Sequence, residues 1–206
     1  MLLFYDIESG DRWKNHRGSY VIGFYWLASY LIGNIMTAFF VGRVYGVNLQ
    51  MERSKNLGAR NAGSVLGKWA FLWTFLGDAL KGVIVVFVGR YLQLDEWVVI
   101  GGAALVIIGH LYPIWLKFQG GKGVATFIGV GLALSPSLFC MMIVGTVLTL
   151  IITRSLTLSM LGGFVLYIGA IVYTGNLQLY SPIFIVIGCM IIKHMSNIKE
   201  SLKKWR

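Results

Sequence analysis

Long apolar stretches separated by short polar connections make up most of this chain. A helix needs about 20 residues to cross the hydrocarbon layer of a bilayer. The candidate stretches lie at 20–40, 69–88, 97–115, 135–152, 158–173 and 180–192. The pattern predicts a transmembrane helix in each of these six places.

A shorter apolar stretch, at 124–134, ends immediately before Ser135 and Pro136. Its helix is too short to cross an undistorted bilayer alone, and proline favours a break at that point. We therefore interpret it as one arm of a helical hairpin, which brings the count to seven. The predicted fold is all-α, an integral membrane bundle of seven transmembrane helices with some short or re-entrant helices. One domain covers 20–206 and follows an N-terminal extension over 1–19.

Composition agrees with a membrane protein. The 206 residues are 57% hydrophobic and 13% charged, with a mean hydropathy of +0.73, which excludes an ordinary soluble domain. The two cysteines, Cys140 and Cys189, lie inside apolar stretches and suggest neither a disulfide nor a thiolate metal site. Three histidines at 16, 110 and 194 are too scattered to predict a metal site.

The positive charges are distributed unevenly along the chain. Thirteen of the 18 lysines and arginines fall within four segments, 43–68, 117–122, 154 and 193–206. Because cytoplasmic loops are enriched in cations, we expect these segments in the cytoplasm, with the N-terminus outside and the C-terminus inside. Arg12, Lys14 and Arg17 argue for the opposite orientation, but the five cations after the first stretch outnumber them. The net charge of +10 could also suggest nucleic-acid binding, but membrane orientation and contact with anionic lipids are the preferred explanation.

Glycines and a lysine interrupt the apolar sequence just before the short helix. Gly120, Gly121 and Gly123 allow backbone N–H groups to approach a bound group, and Lys122 adds a point charge. The helix expected to begin near Val124 directs its positive end to the same place. The segment predicts an anion site at a membrane face, and a phosphate is its natural ligand.

The first basic loop, at 53–64, has two interpretations. It carries hydroxyl, amide and cationic groups on a turn of small residues, which suits an oxyanion. A solvated loop that only sets membrane orientation is the alternative. Its predicted position on the same face as Lys122 favours the anion site.

Two further groups of polar residues lie within or beside apolar stretches. Asp78 and Lys81 are three residues apart, so they share a helix face that must point into the bundle, as a structural ion pair or a functional one. Near the C-terminus, His194, Asn197 and Ser201 share one helical stripe, so an imidazole and an amide can face one pocket. A purely structural histidine is the alternative there.

Several catalytic signatures are missing from the sequence. No histidine is followed at the fifth position by aspartate, as in soluble-type glycerolipid acyltransferases. There is also no Gly-x-Ser-x-Gly, His-Glu-x-x-His or Walker-type loop. A serine nucleophile, which would lack such an activating motif, is therefore not expected.

Three motifs between about 30 and 199 together resemble one family. They are Gly109-His-x-Tyr-Pro113 with the segment 120–126, Ser54-x-Asn-x-Gly-Ala-x-Asn61, and His194-x-x-Asn-Ile198. Leu76-x-Asp-x-Leu-Lys-Gly82 and Thr153-Arg154 with Ser159 match landmarks between them. The chain resembles the PlsY family, the membrane-integral, acyl-phosphate-dependent glycerol-3-phosphate acyltransferases of bacteria.

The resemblance implies catalytic loops at the cytoplasmic face of a multi-pass protein in the bacterial plasma membrane. It implies transfer of a fatty acyl group from acyl phosphate to the 1-hydroxyl of glycerol 3-phosphate, giving lysophosphatidate and phosphate for phospholipid synthesis. Besides these substrates and membrane lipids, no cofactor, metal, nucleic acid or obligate protein partner is expected. The implied catalytic residues are Lys122, Ser159, His194 and Asn197, and the implied substrate-binding and phosphate-binding residues are Ser54, Asn56, Gly58, Arg60, Asn61, His110, Gly120, Gly121 and Gly123.

The chain departs from the family pattern in its first motif. The family usually has Gly, Thr and Arg where this chain has Lys55, Arg60 and Ser64. If the loop is helical there, the cation has moved one turn along the same face. At the C-terminus, Lys204 and Arg206 replace a usual Gly and Glu. A divergent paralogue with another acceptor, or a non-catalytic phosphate-binding membrane protein, is the alternative. A small-anion transporter fits less well because no inverted repeat is visible.

Overall fold

A computed structural model describes residues 7–205, with side chains from 18 to 204. The N-terminal extension is thus described only from Ile7, and Arg12, Lys14, Arg17 and Arg206 have no described side chains. Within the described part there are nine α-helices and one 3-10 turn, Ile114–Leu116. The helices are α1 Ile7–Gly33, α2 Thr37–Val44, α3 Ala59–Leu66, α4 Lys68–Tyr91, α5 Glu96–Leu111, α6 Val124–Leu134, α7 Pro136–Thr153, α8 Leu156–Tyr173 and α9 Ser181–Trp205.

Helix α5 lies at the centre of the bundle. Most of its side chains are buried, and it packs against α1, α4, α6 and α9. Helices α7 and α8 pack against each other as a hairpin, joined to the rest through α6 and α9. The outer surface exposes large apolar side chains such as Phe24, Phe87 and Ile151. Apolar side chains both in the core and on the outer surface are expected for a helical bundle surrounded by lipid.

The protein is a multi-pass membrane protein. Six segments of the described chain are long and apolar enough to cross a bilayer. They are Gly18–Val44, Lys68–Tyr91, Glu96–Leu116, Pro136–Thr153, Leu156–Tyr173 and Ser181–Lys204. Helix α6 has 11 residues, about 16 Å at 1.5 Å per residue. The seventh crossing therefore stays a prediction, as does the orientation of the termini.

The predicted break between α6 and α7 at Ser135 and Pro136 is confirmed. Ser135 caps α7 by accepting a hydrogen bond from the backbone N–H of Leu138 at 3.4 Å, and Pro136 occupies the first helical turn. The guanidinium of Arg90 donates to the carbonyls of Ala133 and Leu134 at 2.7 and 2.8 Å. These contacts satisfy carbonyl groups at the end of α6 that have no partner within the helix.

The first predicted span, at 20–40, is present but interrupted. The first span breaks between Gly33 and Thr37, separating α1 from α2. The ammonium of Lys81 donates to the carbonyls of Gly33 and Ile35 at 3.1 and 2.8 Å. Across the break, the Thr37 hydroxyl donates to Asp78 at 3.1 Å. A polar pair on α4 thus replaces the helical hydrogen bonds that the break removes.

Candidate functional site

The glycine turn before α6 is built against His110. Gly123 has a φ of +82° and precedes α6, which begins at Val124 as predicted. Gly121 lies so close to the imidazole of His110 that a side chain there would collide with Nε2. The N–H groups of Gly120 and Gly121 donate to the carbonyls of Leu111 and His110 at 3.3 and 3.0 Å. These two N–H groups hold the turn, and phosphate binding at Gly120 and Gly121 stays a prediction.

The turn presents Lys122 to helix α9. The Lys122 ammonium is half-buried and donates a hydrogen bond to the amide oxygen of Asn197. His194 lies one turn earlier on α9, buried, with its Nδ1 2.8 Å from the carbonyl of Met190. The structure therefore brings Lys122 and Asn197 into contact, with His194 on the adjacent turn.

A second cation lies close to Lys122. Burial lowers the pKa of Lys122 below the ordinary lysine value, and the positive charge of Arg60 lowers it further. Arg60 is exposed on α3, which begins at Ala59. The loop is thus helical at this point, and Arg60 and Ser64 lie one turn apart on one face, as the sequence argument required.

The first-motif loop is held by its own polar side chains. The amide oxygen of Asn61 accepts hydrogen bonds from the backbone N–H and hydroxyl of Ser54 at 3.3 and 3.0 Å. Its amide nitrogen donates to the carbonyls of Leu49 and Glu52 at 3.0 and 3.2 Å. Asn61 is buried, so its polar groups shape the loop. Ser54 is tied to the same arrangement.

The two predicted anion-binding segments meet. A side chain at Gly121 would lie 2.9 Å from the carbonyl oxygen of Leu57, so the glycine turn packs against the first-motif loop. Beside Leu57, the amide of Asn56 lies against the α-carbon of Gly58, the residue before α3. The predicted proximity of these segments is confirmed.

An open cavity of about 570 Å³ has Arg60 of α3 in its lining. Its lining contains Arg60, Ile152, Thr153, Arg154, Ser155, Leu156, Thr157, Ser201 and Lys204. Three of these side chains are cationic, and Lys204 also pairs with Glu200 at 2.7 Å. The lining combines cations and hydroxyl groups with exposed apolar side chains, so it suits an anionic group attached to an apolar chain.

Sequence reasoning missed two cations of this cavity as site residues. Arg154 stood in a family landmark, and Lys204 was noted only as a departure from the family pattern. Arg60 is also a departure, so two altered positions line one cavity. Ser159 is not among the lining residues; it is buried, and its hydroxyl donates to the Ser155 carbonyl at 2.6 Å.

The polar pair on α4 has a third member. Lys81 Nζ lies 3.0 Å from Asp78 Oδ1 and 2.8 Å from His110 Nδ1, and His110 Nδ1 lies 3.6 Å from Asp78 Oδ1. All three side chains are buried. The prediction that Asp78 and Lys81 face the bundle interior is confirmed. His110 lies behind the glycine turn, and its expected part in phosphate binding stays a prediction.

Comparison with known proteins identifies the family. Residues 23–204 match the family model described as glycerol-3-phosphate acyltransferase. The chain belongs to the glycerol-3-phosphate acyltransferase family. Its fold resembles that of crystallised PlsY, an integral membrane glycerol 3-phosphate acyltransferase, in the glycerol 3-phosphate form. That match has a TM-score of 0.81 and 27% identity, covering 90% of this chain and 94% of the other.

Sequence relatives agree with membership of the PlsY family. Glycerol-3-phosphate acyltransferase 1 of Bacillus cereus is 54% identical over 106 residues, 51% of this chain. The match spans only 58% of that relative's length. A glycerol-3-phosphate acyltransferase of Geotalea daltonii is 34% identical over 177 residues, 84% of this chain and 90% of the relative.

Proposed function

We propose that this protein transfers a fatty acyl group from acyl phosphate to the 1-hydroxyl of glycerol 3-phosphate. The observation that carries the proposal is the contact between Lys122 and Asn197, with the charge of Arg60 acting on Lys122. Arg60 also lines a cavity together with Arg154 and Lys204. Both substrates carry phosphate, and cations with hydrogen-bond donors are what two phosphates require. The apolar side chains of Ile152 and Leu156 at the cavity suit the acyl chain of one substrate.

The reaction needs positioning more than a protein nucleophile. Acyl phosphate is an activated mixed anhydride. The 1-hydroxyl oxygen attacks the acyl carbon, an ester bond forms, and the bond from that carbon to the phosphate oxygen breaks. The hydroxyl proton passes to the departing phosphate or to solvent, so the products are lysophosphatidate and inorganic phosphate. Neutralising and aligning the two phosphates accounts for catalysis by electrostatics and orientation.

Individual residues have distinct proposed roles. Lys122 neutralises a substrate phosphate, and Asn197 orients the Lys122 ammonium while offering its own amide protons. His194, one turn earlier on α9, is placed to contact the acceptor. Arg60 and Arg154 hold the second phosphate in the cavity. Asn61, Ser54 and Ser159 keep the surrounding backbone in position through the hydrogen bonds described above.

The site is proposed to face the cytoplasm of a bacterial cell. The cation-rich segments 43–68 and 193–206 contribute Arg60 and Lys204 to one cavity, and Lys122 belongs to a third such segment. The positive-inside tendency of loops supports the cytoplasmic side for this end of the bundle. On that side the enzyme meets water-soluble glycerol 3-phosphate and releases lysophosphatidate into the membrane.

A direct assay tests the proposal. Purified protein in lipid vesicles receives palmitoyl phosphate and labelled glycerol 3-phosphate, and lysophosphatidate and phosphate are measured together. The expected result is equal formation of both products, with little transfer when palmitoyl coenzyme A replaces palmitoyl phosphate. Absence of lysophosphatidate under all lipid conditions contradicts the proposal. Acyl phosphate consumption that depends on another polyol phosphate supports the altered-acceptor alternative, which the changes at Arg60 and Lys204 favour.

A further inference from the structure

Lys81 fixes the state of the His110 ring inside the bundle. An ammonium only donates hydrogen bonds, so the 2.8 Å contact with charged Lys81 assigns His110 Nδ1 as an acceptor and the ring proton to Nε2. Lys81 also contacts Asp78 and the carbonyls of Gly33 and Ile35. The three protons of the Lys81 ammonium are thus shared among four acceptors. These contacts restrain the position of the ammonium and, through it, that of the imidazole.

His110 in turn supports the residue that precedes Lys122. Its carbonyl accepts the Gly121 N–H at 3.0 Å, and its Nε2 lies against the α-carbon of Gly121. A shift of the imidazole must therefore move Gly121. Because Lys122 follows directly, such a shift changes the approach of its ammonium to Asn197.

The break in the first span holds the same segment from its other side. The side-chain oxygen of Asn34 accepts a hydrogen bond from the backbone N–H of Ile114 at 2.7 Å. The backbone carbonyl of Asn34 accepts one from the indole N–H of Trp115 at 2.9 Å. Asn34 lies between the two carbonyls that bind Lys81. Contacts that depend on the break thus restrain the segment before the glycine turn twice. They act at His110 through Lys81 and at 114–115 through Asn34.

We propose that Asp78, Lys81 and His110 form a positioning network that fixes Lys122 opposite Asn197. The inference rests on the proposed function, in which Lys122 neutralises a substrate phosphate. Ionisable side chains are costly at membrane depth, and an apolar contact would hold helices together at lower cost. Here the buried charges satisfy the broken helix and orient the imidazole behind the turn, two tasks that apolar side chains cannot perform.

Two substitutions at His110 separate positioning from simple stability. His110→Leu removes the acceptor for Lys81, whereas His110→Asn keeps a short polar side chain able to accept. We expect His110→Leu to lower kcat about 10-fold to 100-fold with a smaller change in KM, since a misplacement near 1 Å has effects of that size. His110→Asn should recover much of that loss. In a Lys122→Ala background, His110→Leu should cause little further loss.

Tyr25→Phe provides the matched control. Tyr25 is buried and donates a hydrogen bond to the Val85 carbonyl at 2.9 Å, without contact to the glycine turn. Its substitution should lower thermal stability without changing kcat. An equal loss of kcat in Tyr25→Phe and His110→Leu at matched thermal stability overturns the positioning role.

A distance measurement tests the network without activity. Spin labels at Phe118→Cys and Lys199→Cys, in a Cys140→Ala, Cys189→Ala background, report the turn against α9; both labelled positions are exposed. We expect His110→Leu to broaden the distance distribution and Tyr25→Phe to leave it unchanged. An unchanged distribution in His110→Leu refutes the network. If the parent protein transfers no acyl group, the proposed function fails, while this measurement still decides the network.

Discussion

Lys122 donates a hydrogen bond to Asn197, a residue 75 positions later in the chain. The contact joins the glycine turn before α6 to the C-terminal helix α9. It leaves the Lys122 ammonium half-buried, where its charge is less screened than at an exposed surface. The predictions below follow from this junction and its surroundings.

The first prediction concerns the charge at the junction. Lys122→Ala removes a charge-assisted contact to the substrate phosphate that contributes roughly 1.5–3 kcal/mol to binding. We expect acyl transfer to fall at least about tenfold, since ~1.4 kcal/mol corresponds to a factor of ten. The loss should appear in steady-state kinetics, with thermal stability nearly unchanged.

Lys117→Asn is the matched control for Lys122→Ala. Lys117 is an exposed lysine in the same segment with a φ of +52°, a conformation that asparagine tolerates. Its substitution should leave turnover within about twofold because surface charges contribute little. Wild-type turnover in Lys122→Ala would remove Lys122 from the proposed phosphate site.

The second prediction concerns the displaced cation on α3. Arg60→Thr should impair turnover severely, and the double variant Arg60→Thr, Ser64→Arg should recover much of the loss. Both positions lie on one helical face, so either cation can serve the same anion. The coupling between the two substitutions should be about 0.5–3 kcal/mol. Steady-state kinetics of the four combinations measures it; purely additive effects contradict a shared ligand.

The third prediction concerns pH. Charged Lys122 is present below its pKa, so kcat/KM should fall as the pH rises through that pKa. Burial and the charge of Arg60 both lower this pKa, so the fall should begin below the range of an exposed lysine. Arg60→Thr removes one cause and should shift the alkaline limb to higher pH. Lys55→Asn, at another exposed cation of the loop, should leave the limb in place.

The fourth prediction concerns membrane orientation. Single cysteines at Lys55, Gln119 and Lys203 should react with an impermeant maleimide only from the cytoplasmic side, in a chain lacking Cys140 and Cys189. Cysteines at Asn176 and Gln178 should react from outside. These positions are exposed in connections or at a helix end. Labelling of positions 55 and 119 from opposite sides would exclude a shared pocket.

Local sequence signals predicted the elements that depend on neighbouring residues. Ser135 and Pro136 marked the end of α6 because a hydroxyl cap and a proline act within one helical turn. The spacing of Asp78 and Lys81 was enough to place both side chains on one face. The grouping of Lys122 with His194 and Asn197 was predicted from the resemblance of their motifs to one family.

The break in the first span escaped prediction because its cause is distant in sequence. No proline stands between Gly33 and Thr37, and the apolar pattern continues through the break. The carbonyls released there bind Lys81, which follows Ile35 by 46 residues. The role of His110 was missed for the same reason, since its partner Lys81 precedes it by 29 residues. Contacts between separate helices leave no periodic signal in the sequence.

Chain order determines which partners of the buried ion pair are synthesised before it. As the chain is synthesised from its N-terminus, α1 and α2 precede Lys81, so the carbonyls of Gly33 and Ile35 are already available when α4 enters the bilayer. His110 arrives later, on α5. Helix α4 therefore enters the bilayer with a carboxylate and an ammonium that already have partners at Thr37, Gly33 and Ile35. The break in the first span thus offers hydrogen-bond partners to both buried ionisable side chains of α4 before the bundle is complete.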